Sequence, residues 1–214
     1  IASILVRSGV FKSLLFRQRR TLLESLRLGA FLGYLFALGV AIRVTQTFKG
    51  TDVGLEGALL AGLVGGHVVG AVAGGLMAVP AMLKGEALAL PVLVLVGILG
   101  GVARRLSPEV DDIWHFSPFV DMNIYRWYQR RFGKPRGDWQ MMFFLFIVVL
   151  EIGYFLLGRA FPDVLFHLDS PVNALKVAIF VAGVACVAIP IKILNNTRNE
   201  IILEEQHRLL VGAR

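Results

Sequence analysis

Long apolar runs alternate along this chain with short polar or basic stretches, and the runs set the predicted elements. The clearest is "WQMMFFLFIVVLEIGYFLLGRAF", Trp139 to Phe161, which predicts a membrane-crossing helix. A second run, Leu28 to Val44, predicts another and ends in the polar loop "TQTFKGTDVG". Three shorter spans are expected at Leu55 to Val69, Gly70 to Leu83 and Ala87 to Ala103, and a further one at Val172 to Leu194. The opening "IASILV" reads as the stump of a truncated first span, with residues missing before it. "RSGVFKSLLFRQRR", Arg7 to Arg20, mixes apolar and basic positions as a helix in the headgroup region does.

The charges orient these elements. Arg17, Arg19, Arg20 and Arg27 flank one end of the second span. Arg104, Arg105, Arg126, Arg130, Arg131, Lys134 and Arg136 crowd a segment that holds one amphipathic helix, about Val120 to Phe132. The positive-inside rule places both groups in the cytoplasm. An odd number of crossings must therefore separate the loop near Asp52 from Arg104, and three short ones use the apolar chain best. The tail "NNTRNEIILEEQHRLLVGAR" then finishes as a charged cytoplasmic helix.

Composition agrees. Of 214 residues 56% are hydrophobic and 17% charged, and the mean hydropathy of +0.69 is too high for an ordinary soluble domain. The net charge of +7 collects at the ends of apolar runs and gives no support to nucleic-acid binding. A single cysteine, Cys186, excludes an internal disulfide framework, and neither CxxC nor HExxH occurs.

Within the short spans, "GLVGGHVVGAVAGG" sets Gly62, Gly66, Gly70 and Gly74 four apart. That spacing cuts a flat groove along one helix face, so neighbouring backbones approach closely where lipid supplies no hydrophobic drive. Gly29 with Gly33, and Gly97 with Gly101, repeat the device. The sharper reading is that the same compact core encloses a small-ligand pocket.

With "SGVFKSLLFRQRR", "ALLAGLVGGHVVGAVAGGLMA" (Ala58 to Ala78) and "VLVGILGGVARR" at hand, the first 105 residues resemble the LytS/YhcK-type five-transmembrane receptor, the membrane sensor of LytS-class bacterial histidine kinases. "RNEIILEEQHRLLVGAR" is similar to the linker helix that leads into the phosphoacceptor segment of such kinases. The acceptor motif and the nucleotide-binding boxes are absent, so these residues carry no catalytic group. His67 stands where the family has a proline after its paired glycines.

The chain is expected to be an all-α polytopic membrane protein with four parts, the second and third standing where the family has a soluble sensor module. Residues 1–105 form the receptor-like bundle, 106–138 a basic interfacial segment, 139–195 a two-helix transmembrane hairpin, and 196–214 a signalling helix. The resemblance implies the bacterial inner membrane, a homodimer, and a kinase core and response regulator as partners. Ile202 and Leu209, seven residues apart, give the tail two heptad positions, and Pro190 supplies a kink just upstream that turns span rearrangement into helix movement.

The candidate ligand-facing residues are His67, Arg43, Glu56, Lys84, Glu86 and Glu151, with Lys49 beside them. Arg43, Lys49, Glu56, Lys84 and Glu86 are expected to gather at the external mouth, where snorkelling charges are the bland account. Glu151 interrupts an apolar span and calls for a partner on a neighbouring helix or a role in proton or ligand sensing. His67, expected at mid-span, is either a hydrogen-bonded interior histidine or, in an alternative reading, an axial ligand to haem or chlorophyll in an accessory subunit of a larger membrane complex. His115 and His167 make no pair with it, and no other cofactor or metal is expected. A transporter substrate-binding subunit is the third reading.

Overall fold

The computed structural model describes residues 21–46, 52–107, 139–166 and 183–197, with residues 199 and 203. Residues 1–20, Lys49, the basic segment with Val120 to Phe132 and His115, His167, Ile202 and Leu209 lie outside them. Among the described residues there are six helices and no strand: α1 Leu22–Gln46, α2 Gly54–Gly65, α3 His67–Met82, α4 Ala89–Leu106, α5 Trp139–Ala160 and α6 Gly183–Thr197. Leu22–Thr45, Ala89–Leu106 and Met142–Ala160 are long and apolar enough to cross a membrane, which makes this a membrane-embedded helical protein.

Helix α1 starts at Leu22 rather than Leu28 because "TLLE" is a capping box. The Glu24 amide donates to Thr21 Oγ1 at 3.3 Å, and the Thr21 amide donates to Glu24 Oε2 at 2.9 Å. Two otherwise orphaned amides are satisfied by each other's side chains.

Between α2 and α3 the chain turns at Gly66, which adopts φ +93°, a left-handed conformation that only glycine takes without strain. The expected boundary between Val69 and Gly70 is thus displaced, and Gly66 serves the turn rather than a helix face. Helix α2 has only 12 residues, about 18 Å at 1.5 Å per residue, and α3 has 16, about 24 Å.

Helices α2, α3 and α4 meet backbone to backbone. A β-carbon on Gly62 would overlap the Gly97 carbonyl and stand 2.8 Å from the Gly101 nitrogen. One on Gly70 would overlap the same carbonyl and stand 2.7 Å from Gly62 Cα, and one on Gly74 would overlap the Leu93 carbonyl. These pairings run α2 parallel and α3 antiparallel to α4. On the other face of α3, Gly29 and Gly33 seat α1 against Val69, Val72, Ala73 and Leu76. Leu28, Leu59, Leu63, Val69, Met77 and Leu93 fill the interior between these contacts.

The bundle has two unlike ends. At one, Arg27 lies in the second turn of α1 and Arg104 in the last turn of α4, where the Arg104 guanidinium donates to the Leu63 carbonyl at 3.1 Å and also to that of Val64. A cation there meets the bare carbonyls at the C-terminus of α2. At the other end lie the C-terminus of α1, the start of α2 and the turn between α3 and α4. Helix α5 joins this end, since the Leu88 amide donates to the Val164 carbonyl just beyond it at 3.0 Å.

Candidate functional site

The second end is built around Arg43, in the last turn of α1, where the helix dipole favours positive charge. After α3 the chain reverses through Gly85, at φ +98°, and the Glu86 amide bonds back to the Ala81 carbonyl at 3.1 Å. That reversal presents Glu86 to Arg43. Nη1 donates to Oε1 at 2.9 Å and Nη2 to Oε2 at 2.7 Å, the bidentate fork that a guanidinium makes with a carboxylate. The guanidinium carbon also stands 4.4 Å from the centroid of the Phe166 ring, a cation-π contact with the segment after α5.

Asp52 completes this clamp from the connection between α1 and α2. Its Oδ1 lies 3.6 Å from Arg43 Nε, at ion-pair rather than hydrogen-bond distance, and accepts the Gly54 amide at 3.0 Å. Its Oδ2 accepts the Tyr154 hydroxyl of α5 at 2.7 Å. Arg43 is 7% exposed and Asp52 9%, so both charges depend on these partners instead of water. Tyr154→Phe is expected to lower stability by about 2 kcal/mol, the scale of a hydrogen bond to a charged group. Thermal unfolding of the detergent-solubilised variant measures it, and an unchanged midpoint would mean that the hydroxyl bond carries nothing.

In the first turn of α2, Glu56 is 8% exposed and its Oε2 has no hydrogen-bond partner. Across from it, Glu151 of α5 holds Oε1 buried and without a partner. Both carboxyls press on the backbone of α6 at Gly183, where an added β-carbon would overlap Glu151 Oε1 and stand 2.8 Å from Glu56 Oε1. This end of the bundle thus holds four carboxylates in two sets: Asp52 and Glu86 on the guanidinium of Arg43, and Glu56 and Glu151 facing each other at Gly183. Among the described residues no group of three metal-type ligands converges.

Of the sequence-predicted residues, Arg43, Glu56, Glu86 and Glu151 come together here. Lys84 is exposed at the rim of the turn, and Arg159 is exposed on α5, so Glu151 faces a second acid instead of that arginine. His67 is a correction: it is not at mid-span but opens α3 at the opposite end, half-buried, its backbone against Gly101. The space at Gly62, Gly70 and Gly101 is taken up by facing helix backbone, and that at Gly65 by the Val69 side chain. Asp52, Tyr154 and Phe166 escaped sequence reasoning. Two signals pointed toward them: Asp52 stands two residues before the helix start at Gly54, and Tyr154 lies three residues after Glu151 on the same helix.

No protein-family model, curated protein or solved structure matches this chain at a significant level.

Proposed function

We propose that this chain is the membrane-embedded sensing and transmission region of a LytS-type receptor histidine kinase in a bacterial inner membrane, with the charged end of the bundle as its responsive element. The observation that carries this reading is where the clamp sits. Arg43, Asp52 and Glu86 belong to the four packed helices and their connections, whereas Tyr154 and Phe166 belong to α5 and the segment after it. Movement of the clamp therefore moves α5 against the core. Helix α6 rests on the same region through Gly183, carries Pro190 within it and continues in sequence toward the charged tail.

In this proposal α1 to α4 cross the bilayer in alternation, the short α2 and α3 being shielded from lipid by their neighbours, since lipid-exposed turns leave polar backbone unsatisfied. The arginine-rich end, with Arg27, Arg104 and Arg105, is cytoplasmic, and so is the tail. The stimulus shifts the population of two packings, and a homodimeric tail passes the difference to a kinase core.

Cysteine cross-linking in native membranes tests the relay. With Cys186 replaced by Ala, single cysteines introduced along residues 201–212 should form disulfides most readily at Ile202 and Leu209, the heptad positions of a dimer. Glu86→Gln, which loosens the clamp without changing its shape, should shift that pattern. The absence of cross-links at both positions, or an identical pattern in a folded Glu86→Gln protein, would overturn the proposal.

A further inference from the structure

We infer that Glu56 and Glu151 form a proton-binding site: the two carboxyls hold one proton between them, closed in by the α6 backbone at Gly183. The inference stands apart from the signalling proposal, because it concerns the ligand of this pair and not any relay of its binding to the tail.

The geometry leaves little else. Glu56 is 8% exposed with Oε2 unpartnered, and its Oε1 lies against the same point on α6 as the unpartnered, buried Oε1 of Glu151. Were both carboxylates ionised, Glu56 Oε2 and Glu151 Oε1 would stay without a hydrogen-bond donor and the two charges would repel each other, the situation in which other carboxylate pairs share a proton. Among the described residues, the cation of this end of the bundle is committed elsewhere. Arg43 of α1 is held by the bidentate Glu86 of the α3–α4 turn and by Asp52 of the α1–α2 connection. The Tyr154 hydroxyl of α5 donates to Asp52. From α6 the pair is faced by Cys186, one turn beyond Gly183, and the described charges acting on Glu56 are Glu151 and Asp52, both acids.

A metal cation fits less well. Hard cations take six or more oxygens, and among the described residues not even three ligand side chains converge. The glycine backbone occupies the space where further ligands would stand. A proton needs only the two oxygens. It makes one carboxyl the donor and the other the acceptor of a short O–H···O⁻ bond, which satisfies both groups and ties α2 to α5 against α6. When base removes the proton, two anions remain face to face and that tie is lost.

Infrared spectroscopy of the full chain in lipid nanodiscs, recorded across a pH series in H2O and D2O, tests this. The wild type should show at neutral pH the carbonyl stretch of a buried, protonated carboxyl, shifted down in D2O and lost at high pH. Glu56→Gln/Glu151→Gln keeps the shape and the hydrogen-bonding capacity of the protonated pair, and should remove the band while leaving the fold unchanged over the same pH range. A wild-type spectrum without the band overturns the inference by itself, whatever the variant does. So does a band that survives in the double variant, or a wild-type protein that sodium stabilises while choline does not, which would make the ligand a metal cation.

Discussion

Gly97→Ala is expected to destabilise the protein by about 3 kcal/mol or more, at or beyond the upper end of what overpacking a core usually costs. The added methyl would run into the Gly70 carbonyl and stand 3.0 Å from Gly70 Cα. Neither is a side chain that can rotate away, so α3 and α4 must separate, and α2 with them, because Gly62 packs on the Gly97 carbonyl. Domain stabilities are only about 5–15 kcal/mol, so one methyl group removes a large share. Two other glycines serve as controls. An alanine at Gly75 meets only Val94 Cγ2 at 3.7 Å, and one at Gly153 meets nothing within 4 Å. Both should be neutral or stabilising by up to about 1 kcal/mol, the helix-propensity gain of alanine over glycine. Thermal unfolding of the three variants in one detergent decides it: equal midpoints for Gly97→Ala and Gly75→Ala would refute the backbone contact.

Arg43→Leu should cost about 3 kcal/mol. It removes the guanidinium from a buried network and strands Glu86 and Asp52, and uncompensated buried charge is what makes breaking such a pair expensive. Glu86 keeps 20% of its side chain exposed, which holds the cost toward the lower part of the usual range. Arg43→Lys should recover only part of the loss, since an ammonium cannot form the fork to Glu86 or lie flat on Phe166. Removing both partners, in Arg43→Leu/Glu86→Leu, should be milder than Arg43→Leu alone. A double variant as unstable as the single one, measured by the same unfolding midpoint, would show that the pair is not coupled.

Helix α6 shows how these elements depend on one another. It meets two carboxyls from different helices at Gly183, so the state of those acids and the seating of α6 are one question. The clamp and the carboxylate pair also share Asp52, which bonds Tyr154 while its charge acts on Glu56.

The chain's own pattern determined which stretches became apolar helices, because hydropathy and helix propensity are local properties. Trp139 to Phe161 reads as a span and folds as α5, and the capping box at Thr21 to Glu24 marks the start of α1. It also determined that glycine would bring backbones together, since a missing side chain leaves space whatever fills it. It did not determine which glycine would turn the chain. Gly65, Gly66, Gly70, Gly74 and Gly75 all permit a bend, and only the packing of α2 and α3 against α4 selects Gly66 and carries His67 to the opposite end from the charged cluster. Nor did it pair Glu56 with Glu151 or Asp52 with Tyr154. Those partners lie far apart in sequence, and a contact of that kind exists only once separate helices are docked; the helix that carries each residue can be read locally, but the helix it will face cannot.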